Sequence, residues 1–192
     1  MVFADERGHL ASLTMSVAGA RRDLTGQPEG ETPGRRNYLT GSDPAKWRTN
    51  VRLWERVRFA GVRPGVDVVY RGGGRQFEYD LVVAPGVDPR QIRISFTGAE
   101  KIELSQSGDM ILRTKAGDVF QRKPVAYQVI AGVRRDVAAA FLLAGGRIGF
   151  EVGPYDRSVP LVIDPTIDYS AWFPGTFTAL AVDSGGAAYI TG

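Results

Sequence analysis

The chain has 192 residues, of which 43% are hydrophobic and 23% charged, enough for one domain with a proper core and a fragment of another, and too apolar for wholesale disorder. It has no cysteine, which excludes a disulfide framework, a thiolate nucleophile and a Cys-based metal site. The net charge of +3 is spread over scattered arginines with Asp and Glu between them, so nucleic acid is not an expected partner; no apolar run nears the roughly 20 residues of a membrane-spanning helix.

The N-terminus, MVFADERGHLAS, lacks the apolar segment of a signal peptide. A weak strand is expected around Leu13 to Val17. Arg21 to Arg36 is rich in Gly, Pro, Glu and Thr without apolar period and reads as a loop or linker. At Ser42-Asp43-Pro44, Asp43 can cap a first helical turn and Pro44 suits its first position. A single turn over Ala45 to Arg48 would set Trp47 against a sheet. Val57 and Phe59 then alternate with Arg56 and Arg58, and Pro64-Gly65 suits a type II turn. Val66, Val68 and Tyr70 share a face, and Gly72-Gly73-Gly74 returns the chain into the clearest stretch, Arg75 to Phe96.

There, Phe77, Tyr79 and Leu81 fall on one face and Gln76, Glu78 and Asp80 on the other. Ile92, Ile94 and Phe96 repeat the alternation opposite Arg93 and Ser95, with a Pro-Gly and an Asp-Pro turn between the runs. A period of two marks a half-buried sheet, read here as a hairpin. Further strands are expected over Lys101–Leu104, Met110–Thr114, Val119–Gln121, Val125–Ile130, Val133–Ala144, Arg147–Val152 and Val159–Ile163. Ser-Gly-Asp, Ala-Gly-Asp, Ala-Gly, Gly-Gly and Pro-Tyr-Asp connect them at hairpin spacing. Val133–Ala144 contains strong helix formers, but the glycines on either side favour one strand. Two short strands flank Asp183-Ser184-Gly185-Gly186. The expectation is an all-β, antiparallel, sandwich-like domain over 37–168, preceded by a separate segment 1–36 and followed by a fragment, 169–192.

The motifs NYLTGSDPAKWRTNV, GVRPGVDVVYRG, RQFEYDLVVAPGVDP, QRKPVAYQ and IGFEVGPYDRSVPLVIDP occur in order from Asn37 to Pro165. Together they resemble an uncharacterised bacterial domain that sits N-terminal to SBBP-type repeats, a class of β-propeller repeat. The closing ALAVDSGGAAYITG is similar to the start of such a repeat. The resemblance implies a leader domain of a large exported or cell-surface protein, whose partners would be its own downstream propeller, a glycan or a surface protein. It carries over no catalytic residue and no cofactor.

The catalytic inventory is sparse. Glu78 and Asp80 lie two apart on one strand face, roughly 6–7 Å. That overlaps the carboxylate spacing of inverting glycosidases, about 6.5–9.5 Å. Any alternating strand gives the same geometry, so the expected role is a solvent face paired with cross-strand arginines such as Arg56, Arg58, Arg71 or Arg93. Asp164 and Asp168 flank Pro165 without the ordered ligand spacing of a Ca²⁺ loop. His9, the only histidine, has no G-x-S-x-G partner. Gly72–Gly74 precedes no helix, so it lacks the phosphate-binding helix end. Trp54 and Trp172, with Tyr70, could form a carbohydrate-stacking platform. The leading expectation is a non-catalytic structural or interaction module; the alternatives are a carbohydrate-binding β-sandwich and a degenerate glycoside hydrolase.

Overall fold

The structure is a computed structural model, which describes residues 2–4, 10–73, 76–169, 179–182 and 188–191. The strands, in chain order, begin with β1 (Val2–Ala4), β2 (Leu10–Ser12), β3 (Thr14–Val17), β4 (Gln27–Tyr38), β5 (Arg48–Arg63), β6 (Val66–Gly73) and β7 (Gln76–Val83). They continue with β8 (Ile94–Thr97), β9 (Lys101–Leu104), β10 (Met110–Thr114), β11 (Gly117–Gln121), β12 (Val125–Ile130) and β13 (Val133–Val137). The last are β14 (Ala139–Ala144), β15 (Arg147–Val152), β16 (Leu161–Asp164), β17 (Thr166–Tyr169), β18 (Ala179–Val182) and β19 (Ala188–Thr191). Short 3₁₀ turns at Pro44–Lys46 and Pro89–Gln91 are the described helical segments. Every described strand pair is antiparallel, and the fold is all-β and sandwich-like.

The larger sheet is a ribbon, β4-β5-β6-β7, that branches beyond β7. β16 pairs Ile163 with Leu81, and β17 pairs Thr166 with Glu78, so both lie along the same edge of β7 in one unbroken register. Pro165 sits between them and cannot donate to a ladder, and here the outer neighbours change. β16 carries the β12–β13 hairpin, while β17 carries β11-β10-β9. The second sheet is β14-β15-β8-β3. Between the two lies the core: Tyr79, Leu81, Leu161 and Ile163 from the first sheet, and Ile94, Phe141, Ile148 and Phe150 from the second, all at most 5% exposed.

Turn chemistry accounts for the hairpins. Ala131 and Gly132 have φ of 51° and 79°, and Gly145 and Gly146 of 56° and 71°, the paired positive values that a two-residue hairpin turn requires. Asp43 accepts a hydrogen bond from the Ala45 N–H at 3.1 Å, as expected of a cap. Trp47, however, stays 37% exposed and donates from Nε1 to the Gly41 carbonyl at 3.1 Å, instead of packing on the sheet. Buried Gln128 staples the connection before β16: Nε2 donates to the Asp156 and Val159 carbonyls at 2.7 and 3.0 Å, and Oε1 accepts from the Asp156 N–H at 2.9 Å.

Three further expectations change. Residues 21–36 are not wholly loop, because Gln27–Tyr38 forms the long strand β4 against β5. It is an edge strand, largely exposed, with Pro28, Pro33 and register shifts, so it shows no apolar period. Val133–Ala144 is two strands: the chain leaves the larger sheet after Val137 and joins the smaller at Ala139. The Gly153 N–H donates to the Ala138 carbonyl at 2.8 Å at this corner. Arg75–Phe96 is likewise no hairpin. β7 belongs to one sheet and β8 to the other, with the capped Pro89–Gln91 turn carrying the chain across.

Candidate functional site

Alternation along β7 puts Tyr79 and Leu81 inward, both 0% exposed, and Glu78 and Asp80 on the outer face of the larger sheet. Cross-strand register sets their neighbours. Arg71 of β6 lies opposite Glu78, and Val69 lies opposite Asp80. The unbroken register along β16 and β17 sets Asp164 abreast of Asp80. Tyr127 of β12 and Arg134 of β13 continue the same face, the guanidinium of Arg134 lying 3.8 Å from the ring centroid of Tyr127. Toward the other edge, Arg56 and Arg58 of β5 pair with Glu29 of β4 at 2.9 and 2.6 Å, and Arg58 also reaches Asp67 at 3.0 Å.

The outer face is thus a ladder of alternating charges, of which Arg71 and Asp80 form the central ion pair. The expectation that Asp80 is solvated is corrected: it is 4% exposed. The long Arg71 side chain and the neighbouring strands on both edges take it out of water. Of the four arginines considered as partners, Arg71 alone bonds one of the two carboxylates among the described residues. Arg56 and Arg58 are drawn to Glu29, and Arg93 donates to the Arg90 and Ile92 carbonyls. Glu29 is held below the usual carboxylate range, first by its hydrogen bond from Arg58.

Two buried carboxylate oxygens in this row, Asp80 Oδ1 and Asp164 Oδ1, have no hydrogen-bond partner. Burial raises the Asp164 pKa, and the charge of Asp80 raises it further. A proton on Asp164 removes the repulsion between the two side chains, since two carboxylates abreast can only repel. Asp164 is therefore a neighbour of Asp80 whose pKa is raised in the folded protein. The sign follows. A group with a raised folded pKa adds stability that is full below the ordinary aspartate range and is lost as pH rises through the raised value. Asp164→Asn, whose amide donates at any pH, is expected to stabilise the protein near neutrality by about one net hydrogen bond, ~1 kcal/mol. At pH 3 the gain should vanish. Urea unfolding at both pH values checks it; an equal effect at each would refute the raised pKa of Asp164.

For hydrolysis, two carboxyl groups must both reach a glycosidic bond and a water. Asp80 is buried against Arg71, and no described cavity opens between it and Glu78. No group of three or more His, Cys, Asp or Glu side chains is placed to hold a metal among the described residues.

The aromatic candidates do not share a surface. Trp54 lies on the outer face of β5, 36% exposed, opposite Glu31. Tyr70 points inward, edge-on to Phe59 with ring centroids 5.7 Å apart, and burial pushes its phenol up to about 12. Trp172 and His9 lie outside the described residues. The residues that sequence reasoning missed are those that depend on tertiary pairing: Asp164 as partner of Asp80, and Met15, Val17 and Leu24, which face Tyr70 across a cavity between the sheets.

The described strands make an antiparallel, two-sheet β domain, and that fold defines the class of protein. The chain belongs to the family described as a domain of unknown function (DUF7948), whose model matches residues 4–166. No curated protein and no solved structure matches it.

Proposed function

We propose that this chain is a non-catalytic structural and interaction module that precedes a β-propeller in a bacterial surface or secreted protein. The observation that carries the reading is the closed Arg71–Asp80 pair at the centre of the outer face. Asp80, one of the two carboxylates that would have to act on a substrate, is engaged in holding the sheet. The motif ALAVDSGGAAYITG supports the propeller context, since it resembles the opening of an SBBP-type repeat. β18 and β19 within it pair antiparallel, as the first two strands of a blade would.

Carbohydrate binding is the second reading, favoured by the partly exposed Trp54 beside charged neighbours on the outer sheet face. A degenerate hydrolase using Glu78 and Asp80 is the least supported. One experiment separates the three. The purified chain is screened on a glycan array and against a panel of glycosides and esters. The module reading expects both to be flat. Glycan signal lost in Trp54→Ala would replace it with the second reading, and turnover lost in Glu78→Gln with the third.

A further inference from the structure

β4 and β5 outrun the sheet they belong to. β5 meets β6 from Arg56 to Arg63, whereas residues 48–55 pair with β4 alone among the described residues. At the usual rise of a strand this two-stranded arm is roughly 25 Å long. None of residues 31–56 is buried, and residues 39–50, which turn the end of the arm, are all exposed. A two-stranded ribbon without a third strand or a packed face is marginal in water, so the arm contributes nothing to the core.

Its charge is as uneven as its shape. Residues 31–56 hold six Arg and Lys against three Asp and Glu, a net +3 equal to that of the whole chain, so all the other residues together are neutral. The cations lie on both faces of the ribbon: Arg35 and Arg52 pair on the outer face, and Arg36 pairs with Val51 on the inner one. Two large apolar side chains stand open at the tip, Leu39 at 58% and Trp47 at 37% exposure, just beyond the last strand pair, Tyr38 with Arg48. The Gly41 carbonyl accepts the Trp47 indole N–H at 3.1 Å, so the ring can leave water without stranding a donor. Asp43, the acid of this loop, accepts from the Ala45 N–H at 3.1 Å and lies 4.0 Å from Lys46.

We propose that the tip of this arm docks end-on to an anionic lipid surface, with Leu39 and Trp47 entering the interface and Lys46 and Arg48 among the headgroups. The inference rests on reading the chain as an interaction module, and it names the partner. A soluble polyanion would meet the cations but offers no apolar phase to Leu39. A folded protein partner would lie against one face of the ribbon, whereas headgroups close around a tip and meet cations on both faces. Tryptophan favours the membrane–water boundary, and each Lys or Arg held near an anionic membrane surface strengthens binding roughly fivefold.

The test is co-sedimentation of the full chain with vesicles of phosphatidylcholine alone and of phosphatidylcholine with roughly one-third phosphatidylglycerol, with tryptophan emission as a second readout. Binding to the anionic vesicles with blue-shifted emission is expected, and binding to phosphatidylcholine at least tenfold weaker. Lys46→Gln together with Arg48→Gln should weaken anionic binding about 25-fold. Leu39→Ser together with Trp47→Ser should weaken it at least tenfold, and Trp47→Phe should remove the blue shift while keeping most of the binding. All four positions are exposed, so an unchanged Tm is expected of each variant. No binding to either vesicle, or equal binding to both, would overturn the proposal. Anionic binding that survives the loss of Leu39 and Trp47 would overturn it in favour of a soluble polyanion. The glycan array and the substrate panel judge the module reading separately, so either reading can fail alone.

Discussion

Arg71→Met is expected to lower the unfolding free energy by about 3 kcal/mol, and adding Asp80→Leu to it to restore most of that loss. Asp80 is 4% exposed, and its carboxylate bonds Arg71 through Oδ2 while Oδ1 has no partner. Removing Arg71 alone leaves a charge in a site that water barely reaches. Breaking one half of a buried pair commonly costs about 3–5 kcal/mol. The lower end applies because the Arg71 side chain is itself 35% exposed, so solvent takes over part of its role. The double variant removes the charge together with its partner and leaves two apolar side chains beside Val69 and Val82, which share this face. Urea unfolding at pH 7 provides the comparison, with m-values checked for constancy. If the double variant is as unstable as the single one, the pair is not what holds Asp80, and the central argument for a structural role of this face falls.

The same pair shows what alternation can and cannot tell. Period two assigned Glu78 and Asp80 to one face of β7 and Tyr79 and Leu81 to the other, and both assignments hold. It says nothing of depth. Asp80 is buried because β7 has strands on both edges, and one of those edges is β16, more than seventy residues further along the chain. The strands from Lys101 to Gln121 were legible for the opposite reason. They are joined by short glycine turns, so neighbours in sequence are neighbours in space. Where the chain changes sheets, at Ala138 and across Pro89–Gln91, the local pattern is the same as inside a strand or a turn. Corners are set by what lies across the core, so they stayed hidden. β4 escaped because an exposed edge strand with one partner has no buried face to advertise.

Gly98 gives the second large effect. The residue follows β8 with a φ of 99°, and a methyl group built on it would collide with the backbone carbonyl oxygen of Ser12. Backbone cannot swing aside as a flexible side chain can. β3 runs on from this contact, pairing Thr14 with Thr97 and Val17 with Ile94, and Leu13 beside it is 2% exposed. Gly98→Ala is therefore expected to lose about 3 kcal/mol or more, with ~1–3 from the unfavourable φ and the rest from prising β3 off β8. For a domain of this size that is a fall in Tm of roughly 6–12 °C. Gly86→Ala is the control. Its φ of 78° carries the backbone penalty, but nothing lies within 4 Å of the added methyl, so about 1 kcal/mol and roughly 2–4 °C are expected. Hydrogen exchange should show the Thr14–Val17 amides losing protection in Gly98→Ala alone. Equal Tm losses in the two variants would mean that the close approach of Ser12 to Gly98 does not anchor β3.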